Sequence, residues 1–130
     1  MKLPCSVVSV FKAELTKNDN VKNTKLALQE LKDLNVPVTL GHVGFGPKED
    51  REMVLILPET HVHMKDSLLT VYKQKTYLRC LIDGMCEVVS VTPEGESSTK
   101  LGELKEGRLL SDNDYTLQVG GKHFYIGGLV

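Results

Sequence analysis

The chain has 130 residues, of which 41% are hydrophobic and 25% charged, and its formal net charge is −1. This composition predicts one globular domain over residues 1–130, and the scattered basic residues exclude the charge pattern of proteins that bind duplex nucleic acid or an anionic membrane surface. No apolar run approaches the roughly 20 residues that span a bilayer, and residues 1–15 lack a signal-peptide pattern. The three cysteines do not form the disulfide framework of a small secreted domain. We therefore expect a cytoplasmic protein with reduced thiols.

The first predicted elements are a strand and a long helix. The strand begins at residue 5 and fades towards residue 15, because this segment is rich in Val, Ser and Phe without a helical stripe. The helix covers about residues 21–34, where residues 18–20 offer side-chain oxygens that can cap its first turn. Asn35 can take the left-handed conformation that ends a helix. The apolar stripe of the helix consists of Ala27, Leu28, Leu31 and Leu34.

Two strands follow the helix, and we predict that a glycine-rich turn joins them. Residues 36–41 alternate in polarity, whereas residues 53–57 are continuously apolar, which is typical of a central strand covered on both faces. We expect the first strand to lie beside this central strand. Gly41, Gly44 and Gly46 interrupt the pattern between the two strands and favour a hairpin loop.

The second half of the chain contains a shorter helix and two hairpins. Helical spacing of apolar residues predicts the helix over about residues 64–74. The dipeptide Asp83-Gly84 predicts a two-residue turn, which would place Cys80 opposite Glu87. Gly120-Gly121 predicts a second tight turn between residues 115–119 and 122–126. Together these elements predict an α+β fold, in which one antiparallel or mixed β-sheet is covered by helices.

Two histidines are the candidate metal ligands. His61 and His63 would share one face of an extended strand end, which suits a pair of imidazole ligands. A metal needs further ligands, and no residue near them in sequence supplies one at a recognisable spacing. A small metal-dependent hydrolase using this pair is therefore an alternative function. The sequence contains no complete catalytic motif, and we predict neither a catalytic residue nor a cofactor.

The order of motifs along nearly the whole chain resembles short uncharacterised proteins of phages and bacteria that share a domain of unknown function. The shared features are an Asn-initiated helix, a glycine turn, a strand opening with Glu, a Gln closing a second helix, a Leu-Gly pair and an Asp-Tyr-Thr hairpin. Here they correspond to Asn20, residues 44–46, Glu52, Gln74, residues 101–102 and residues 114–116. The chain departs from the family pattern at Asn23, Val54 and Lys73. The resemblance implies a phage or mobile-element setting but no established reaction.

These observations predict a small accessory protein that binds a small polar or anionic ligand or a host protein and is not an enzyme. A polar ligand needs complementary charges and fixed hydrogen-bond partners. The residues chosen for such a surface are Asn20, Lys22, Glu52, Gln74, Arg79, Asp114 and Tyr115. A third alternative is an interaction module or homodimer that pairs through an uncovered edge strand carrying Tyr77 or Phe124.

Overall fold

Antiparallel strands close into a barrel, and two helices pack outside it. The computed structural model describes residues 2–45, 52–107 and 115–127. The elements are β1 (Cys5–Val8), α1 (Lys17–Asp33), β2 (Thr39–Phe45), β3 (Glu52–Pro58), α2 (Val62–Val71), β4 (Thr76–Cys80), β5 (Met85–Thr92), β6 (Gly95–Glu106), β7 (Tyr115–Val119) and β8 (Lys122–Gly127). A short 3₁₀ helix, Glu59–His61, precedes α2. Around the barrel the strand order is β1-β3-β2-β7-β8-β6-β5-β4.

The predicted α+β fold with a single sheet under helices is wrong, because the sheet closes on itself. β1 provides the closure, since it pairs with β3 on one side and with β4 on the other. Its first residue, Cys5, is therefore opposite both Pro58 and Cys80. Closure pairs backbone groups that an open sheet would leave exposed at its edges. The predicted neighbour of β1, the apolar strand β3, is confirmed.

Side chains alternate between the inside of the barrel and the face under the helices. The outer cluster joins the barrel to both helices, and its buried members include Val8, Leu55, Leu57, Ala27, Leu31, Leu68, Leu69 and Tyr77. The inner cluster fills much of the barrel, and its buried members include Cys5, Val7, Val43, Val54, Ile56, Leu78, Cys80, Cys86, Leu117 and Ile126. β3 is buried on both faces, which explains its continuous apolar sequence.

Helix α1 begins four residues earlier than the predicted start at residue 21. The hydroxyl of Thr16 accepts a hydrogen bond from the Asp19 amide at 3.2 Å, so Thr16 caps the helix and residues 18–20 lie within it. The predicted end is confirmed, because Asn35 has a φ of 58°. The Val36 amide then donates to the Leu31 carbonyl at 2.9 Å, which closes the helix terminus.

Helix α2 covers Val62–Val71 instead of the predicted residues 64–74. Leu68 and Leu69 are buried against the barrel, as the apolar spacing indicates. The helix ends early because Lys73 takes a left-handed conformation with a φ of 54°. The Gln74 amide donates to the Leu69 carbonyl at 2.9 Å, so the chain reverses before β4.

The hairpin predicted between the two strands that follow α1 is confirmed, since β2 and β3 pair antiparallel, but Gly41 and Gly44 lie within β2 and not in the turn. A side-chain carbon at Gly41 would stand 3.0 Å from Ile56 Cδ1 and 3.3 Å from Leu117 Cδ1. Gly41 therefore permits close packing inside the barrel, which is a common role of glycine within strands. Gly46, the last of the three glycines, lies outside the described residues.

The two predicted hairpins have different outcomes. The register of β7 and β8 is confirmed, with Val119 opposite Lys122. The β4–β5 register is wrong, since Cys80 lies opposite Cys86 and not Glu87. A two-residue turn of type I′ or II′ needs a positive φ at its first central residue, and Asp83 does not have one, whereas Gly84 has a φ of 90°. The reversal therefore contains one more residue, which shifts the register.

Candidate functional site

A cavity of about 310 Å³ opens at one end of the barrel. This end is where β1 finishes and where β3, β4 and β7 begin. The walls are apolar and consist of Val7, Val43, Val54, Leu78, Val88 and Leu101. The polar residues of the lining are Ser9, Glu52, Thr76 and Tyr115, with Tyr77 also contributing. The cavity therefore has an apolar body and a polar mouth.

The depth of the cavity follows from rows of inward residues on β1, β4 and β5. The deepest row consists of the three cysteines, Cys5, Cys80 and Cys86, which are opposite one another. Two residues nearer the mouth, Val7, Leu78 and Val88 form the next row, and all three line the cavity. The next lining residues towards the mouth, Ser9 just after β1 and Thr76 at the start of β4, carry hydroxyl groups. Polarity thus increases from the floor to the mouth.

The cysteine row forms a buried layer below the cavity. All three thiols are free, and each side chain is at most 1% exposed. The sulfur of Cys86 lies 3.4 Å from that of Cys80. Hydrogen bonds with Cys5 and Cys86, together with burial, raise the pKa of Cys80. The thiol of Cys80 is therefore neutral and serves as packing material rather than as a nucleophile.

Glu52 and Tyr115 bring acidic and phenolic groups to the mouth. Each is the first residue of its strand, and both strands flank β2. Burial raises the pKa of Tyr115 above its ordinary value, and the negative charge of Glu52 raises it further. Tyr115 is therefore a neutral phenol at physiological pH. Glu52 is half-buried and supplies the carboxylate of the cavity lining.

An open polar groove of about 660 Å³ adjoins the cavity and shares Glu52 with it. One side of the groove is the connection between β1 and α1, residues 9–15, which we call the strap. The groove is lined by Phe11, Lys12, Ala13 and Leu15 of the strap together with Lys17, Asn20, Glu52 and Gln74. Glu52 is therefore common to the cavity and the groove, which together form the candidate site.

Two predicted ligand residues, Asn20 and Gln74, hold the strap in place. The Asn20 side chain accepts from the Lys12 amide at 2.8 Å and donates to the Lys12 carbonyl at 3.0 Å. Gln74 Nε2 donates to the Phe11 carbonyl at 2.7 Å. Because the Asn20 amide group is engaged at both its oxygen and its nitrogen, it shapes the groove wall and is not the main ligand contact.

The structure brings together four of the seven residues that the sequence predicts for the ligand surface. Glu52, Gln74 and Asn20 line the groove, and Glu52 and Tyr115 line the cavity. Lys22 is exposed on α1 and lines neither space. Asp114 lies outside the described residues.

Arg79 belongs to a separate charged cluster on the outer face of the barrel. Its guanidinium bonds the Glu87 carboxylate at 2.9 Å and lies 3.8 Å from that of Glu96. The hydrogen bond with Glu87 raises the pKa of Arg79. Lys65 of α2 joins this cluster through Tyr77, whose hydroxyl lies 3.1 Å from its Nζ. The cluster connects α2 to β4, β5 and β6. Arg79 is paired there with Glu87 and Glu96, and none of these three residues lines the cavity.

The predicted histidine pair does not lie on an extended strand. His61 ends the 3₁₀ helix and His63 lies in α2, so the basis for a shared strand face is wrong. The ring of His61 is 3.1 Å from the Thr60 hydroxyl. Within residues 2–45, 52–107 and 115–127, no group of three or more histidine, cysteine or acidic side chains is placed to hold a metal ion.

The strands that carry the two candidate edge residues are paired on both sides. β4, which contains Tyr77, lies between β1 and β5. β8, which contains Phe124, lies between β7 and β6. Neither strand is the uncovered edge on which the third alternative depends.

Sequence reasoning missed the apolar walls of the cavity and the strap residue Lys12. Val54 and Val88 appear as ordinary strand residues, and only their inward positions in a closed barrel bring them to one cavity. The chain matches no protein-family model and no curated protein in sequence. None of the helices in the described part of the chain has the length and apolar character needed to cross a bilayer.

Proposed function

We propose that this protein is a non-catalytic binding protein that takes the apolar part of a small amphipathic ligand into its barrel. The observation that carries the proposal is the open cavity of about 310 Å³ with apolar walls and a polar mouth. Ligand sites are typically concave and mostly apolar, with a few polar groups that fix orientation, and barrel mouths are a common location.

The size of the barrel supports one small ligand. An eight-stranded barrel has an interior that side chains just fill or that holds one small molecule. Here the deep rows are filled, while valines at the level of Val54 and Val88 leave the outer part open. Apolar ligand surface placed there would gain about 25 cal/mol for each Å² removed from water.

The groove supports the amphipathic character of the ligand. Its polar side chains adjoin the mouth, so a ligand that fills the cavity would place its other end beside Glu52 and the strap. A wholly polar ligand would leave the apolar walls in contact with water. An apolar body attached to a polar group fits both spaces.

The biological setting is part of the same proposal. A cytoplasmic location is supported by three thiols that are all free. A phage or mobile-element origin is supported by the resemblance of motif order along the chain, and an accessory role that binds without turnover is supported by the lack of a complete catalytic motif.

The experiment is titration with Nile red, a neutral dye whose fluorescence rises in apolar surroundings. We expect saturable binding of one dye per chain. Val88→Phe fills the cavity from its wall and should weaken dye binding about tenfold or more. Val71→Phe is the matched control, because Val71 is 64% exposed on α2 and does not line the cavity.

Circular dichroism and thermal unfolding test whether both variants are folded, and the comparison of dye affinities is made between folded proteins. Equal dye affinity of Val88→Phe and wild type, or the lack of saturable binding to wild type, would overturn the proposal.

A further inference from the structure

We infer that the ligand is zwitterionic, with an ammonium group that meets Glu52 and an anionic group that meets Lys12 and Lys17. This inference rests on the proposed function and names the chemical class of the ligand. The features that carry it are the two signs of charge in the groove and the position of Glu52 at the entrance to the apolar cavity.

Glu52 is placed to receive a cation. Glu52 lines both the cavity and the groove and is half-buried. Within the described ranges, no hydrogen bond or ion pair engages the side chain of Glu52. A buried or half-buried carboxylate is stabilised by a charge-assisted hydrogen bond, which an ammonium group would supply. The hydroxyl groups of the mouth, on Ser9 and Thr76, can accept further hydrogen bonds.

Two lysines provide the opposite charge. Lys12 of the strap and Lys17 at the start of α1 line the same groove as Glu52. The backbone amide and carbonyl of Lys12 are fixed by Asn20, so the strap that carries its side chain has a defined position. The groove is thus preorganised around these charges.

Because the groove carries both a carboxylate and ammonium groups, a ligand with a single charge fits it less well than a zwitterion. An amphipathic anion would meet favourable charges at the lysines but would bring its negative group beside Glu52. An amphipathic amine would pair with Glu52 but would face the two lysines. A small molecule with both charges next to each other and an apolar tail is complementary to the cavity and to both sides of the groove.

The test is displacement of Nile red by ligands that share one linear apolar body and differ in the polar end. The four probes are α-aminooctanoic acid, octylamine, octanoate and octanol. For the wild-type protein we expect α-aminooctanoic acid to bind about tenfold more tightly than octanol, because its ammonium and its carboxylate each form charge-assisted hydrogen bonds with the protein. Octanoate and octylamine should lie between them.

Three variants assign the charges. Glu52→Gln should weaken α-aminooctanoic acid and octylamine about tenfold and strengthen octanoate. Lys12→Gln should weaken α-aminooctanoic acid and octanoate and leave octanol unchanged. Lys22→Gln is the matched control, because this lysine is exposed on α1 outside the site, and it should leave all four affinities unchanged.

The outcomes separate this inference from the proposed function. If all four probes displace the dye equally, or if Glu52→Gln leaves their order unchanged, the cavity binds ligands but the zwitterion inference is wrong. If wild type does not bind the dye at all, the proposed function itself is wrong and the inference falls with it.

Discussion

The two hydrogen bonds between the Asn20 side chain and the strap, which we call the clamp, allow a direct test of whether Asn20 fixes the wall of the groove. Asn20 is 5% exposed, and its side chain makes one hydrogen bond to the amide and one to the carbonyl of Lys12. Asn20→Ala removes both bonds and leaves two backbone groups of the strap without these partners. We therefore expect the variant to be less stable and its strap to be poorly fixed.

The expected loss in the free energy of unfolding follows from the number of hydrogen bonds removed. A typical hydrogen bond contributes about 1 kcal/mol net, and a backbone group left unsatisfied adds a desolvation cost, so the two bonds together should be worth about 2.5 kcal/mol. For a chain of this length each kcal/mol lowers the melting temperature by about 4 °C, so the expected decrease is about 10 °C. Urea unfolding followed by circular dichroism measures the free energy of unfolding.

The matched control is Asn23→Ala on the same helix. Asn23 also lies within α1, but no hydrogen bond engages its side chain in the described part of the chain. Both variants gain the same helix propensity from alanine, so the difference between them isolates the clamp. If Asn20→Ala and Asn23→Ala unfold within about 0.5 kcal/mol of each other, the usual spread for surface changes, Asn20 does not fix the strap.

Three further predictions concern the barrel. Gly41→Ala should cost about 1–3 kcal/mol in urea unfolding through overpacking, whereas Gly121→Ala, which meets no atom within 4 Å, should be nearly neutral; equal effects would refute the close-packing role. Because burial raises the pKa of Tyr115, the unfolded state loses this proton first, and stability should fall as pH rises above about 10. Tyr115→Phe should reduce that fall, and an unchanged alkaline slope would contradict the burial of the phenol. The three thiols should resist a thiol reagent in the native protein and all react in urea, so rapid native labelling would contradict their burial.

Local chemistry predicted the elements of this fold better than their arrangement. Asn35 ends α1 because asparagine tolerates the left-handed conformation, and Gly120-Gly121 sets the β7–β8 register because a two-residue turn allows one pairing. Barrel closure depends on the pairing of β1 with β4, which are about seventy residues apart in sequence. No local pattern records such a pairing, so the sheet was predicted as open.

In the candidate site, too, the sequence predicted which residues are polar but not which distant groups they contact. Polar residues near turns and helix ends were predicted as ligand contacts, and Glu52 and Tyr115 indeed reach the cavity. Asn20 and Gln74 are close to it, but their polar atoms bind strap backbone. Sequence can mark a polar side chain as unusual, but whether its partner is a ligand or a distant carbonyl depends on the fold. Arg79 illustrates the limit, since Glu87 and Glu96 surround it on the outside of the barrel.

The cavity itself results from the sizes of residues that alternate along the inner face. At the level of Gly41, the side chains of Ile56 and Leu117 approach so closely that even a methyl group would crowd them. Elsewhere on the inner face, the shorter side chains of Val43, Val54 and Val88 line the open cavity. A barrel interior packed for stability alone would place larger side chains at these positions, because filling a cavity gains apolar contacts. The open end therefore costs the protein stability, and binding an apolar group there would offset that cost, which connects the packing of the barrel directly to its proposed role.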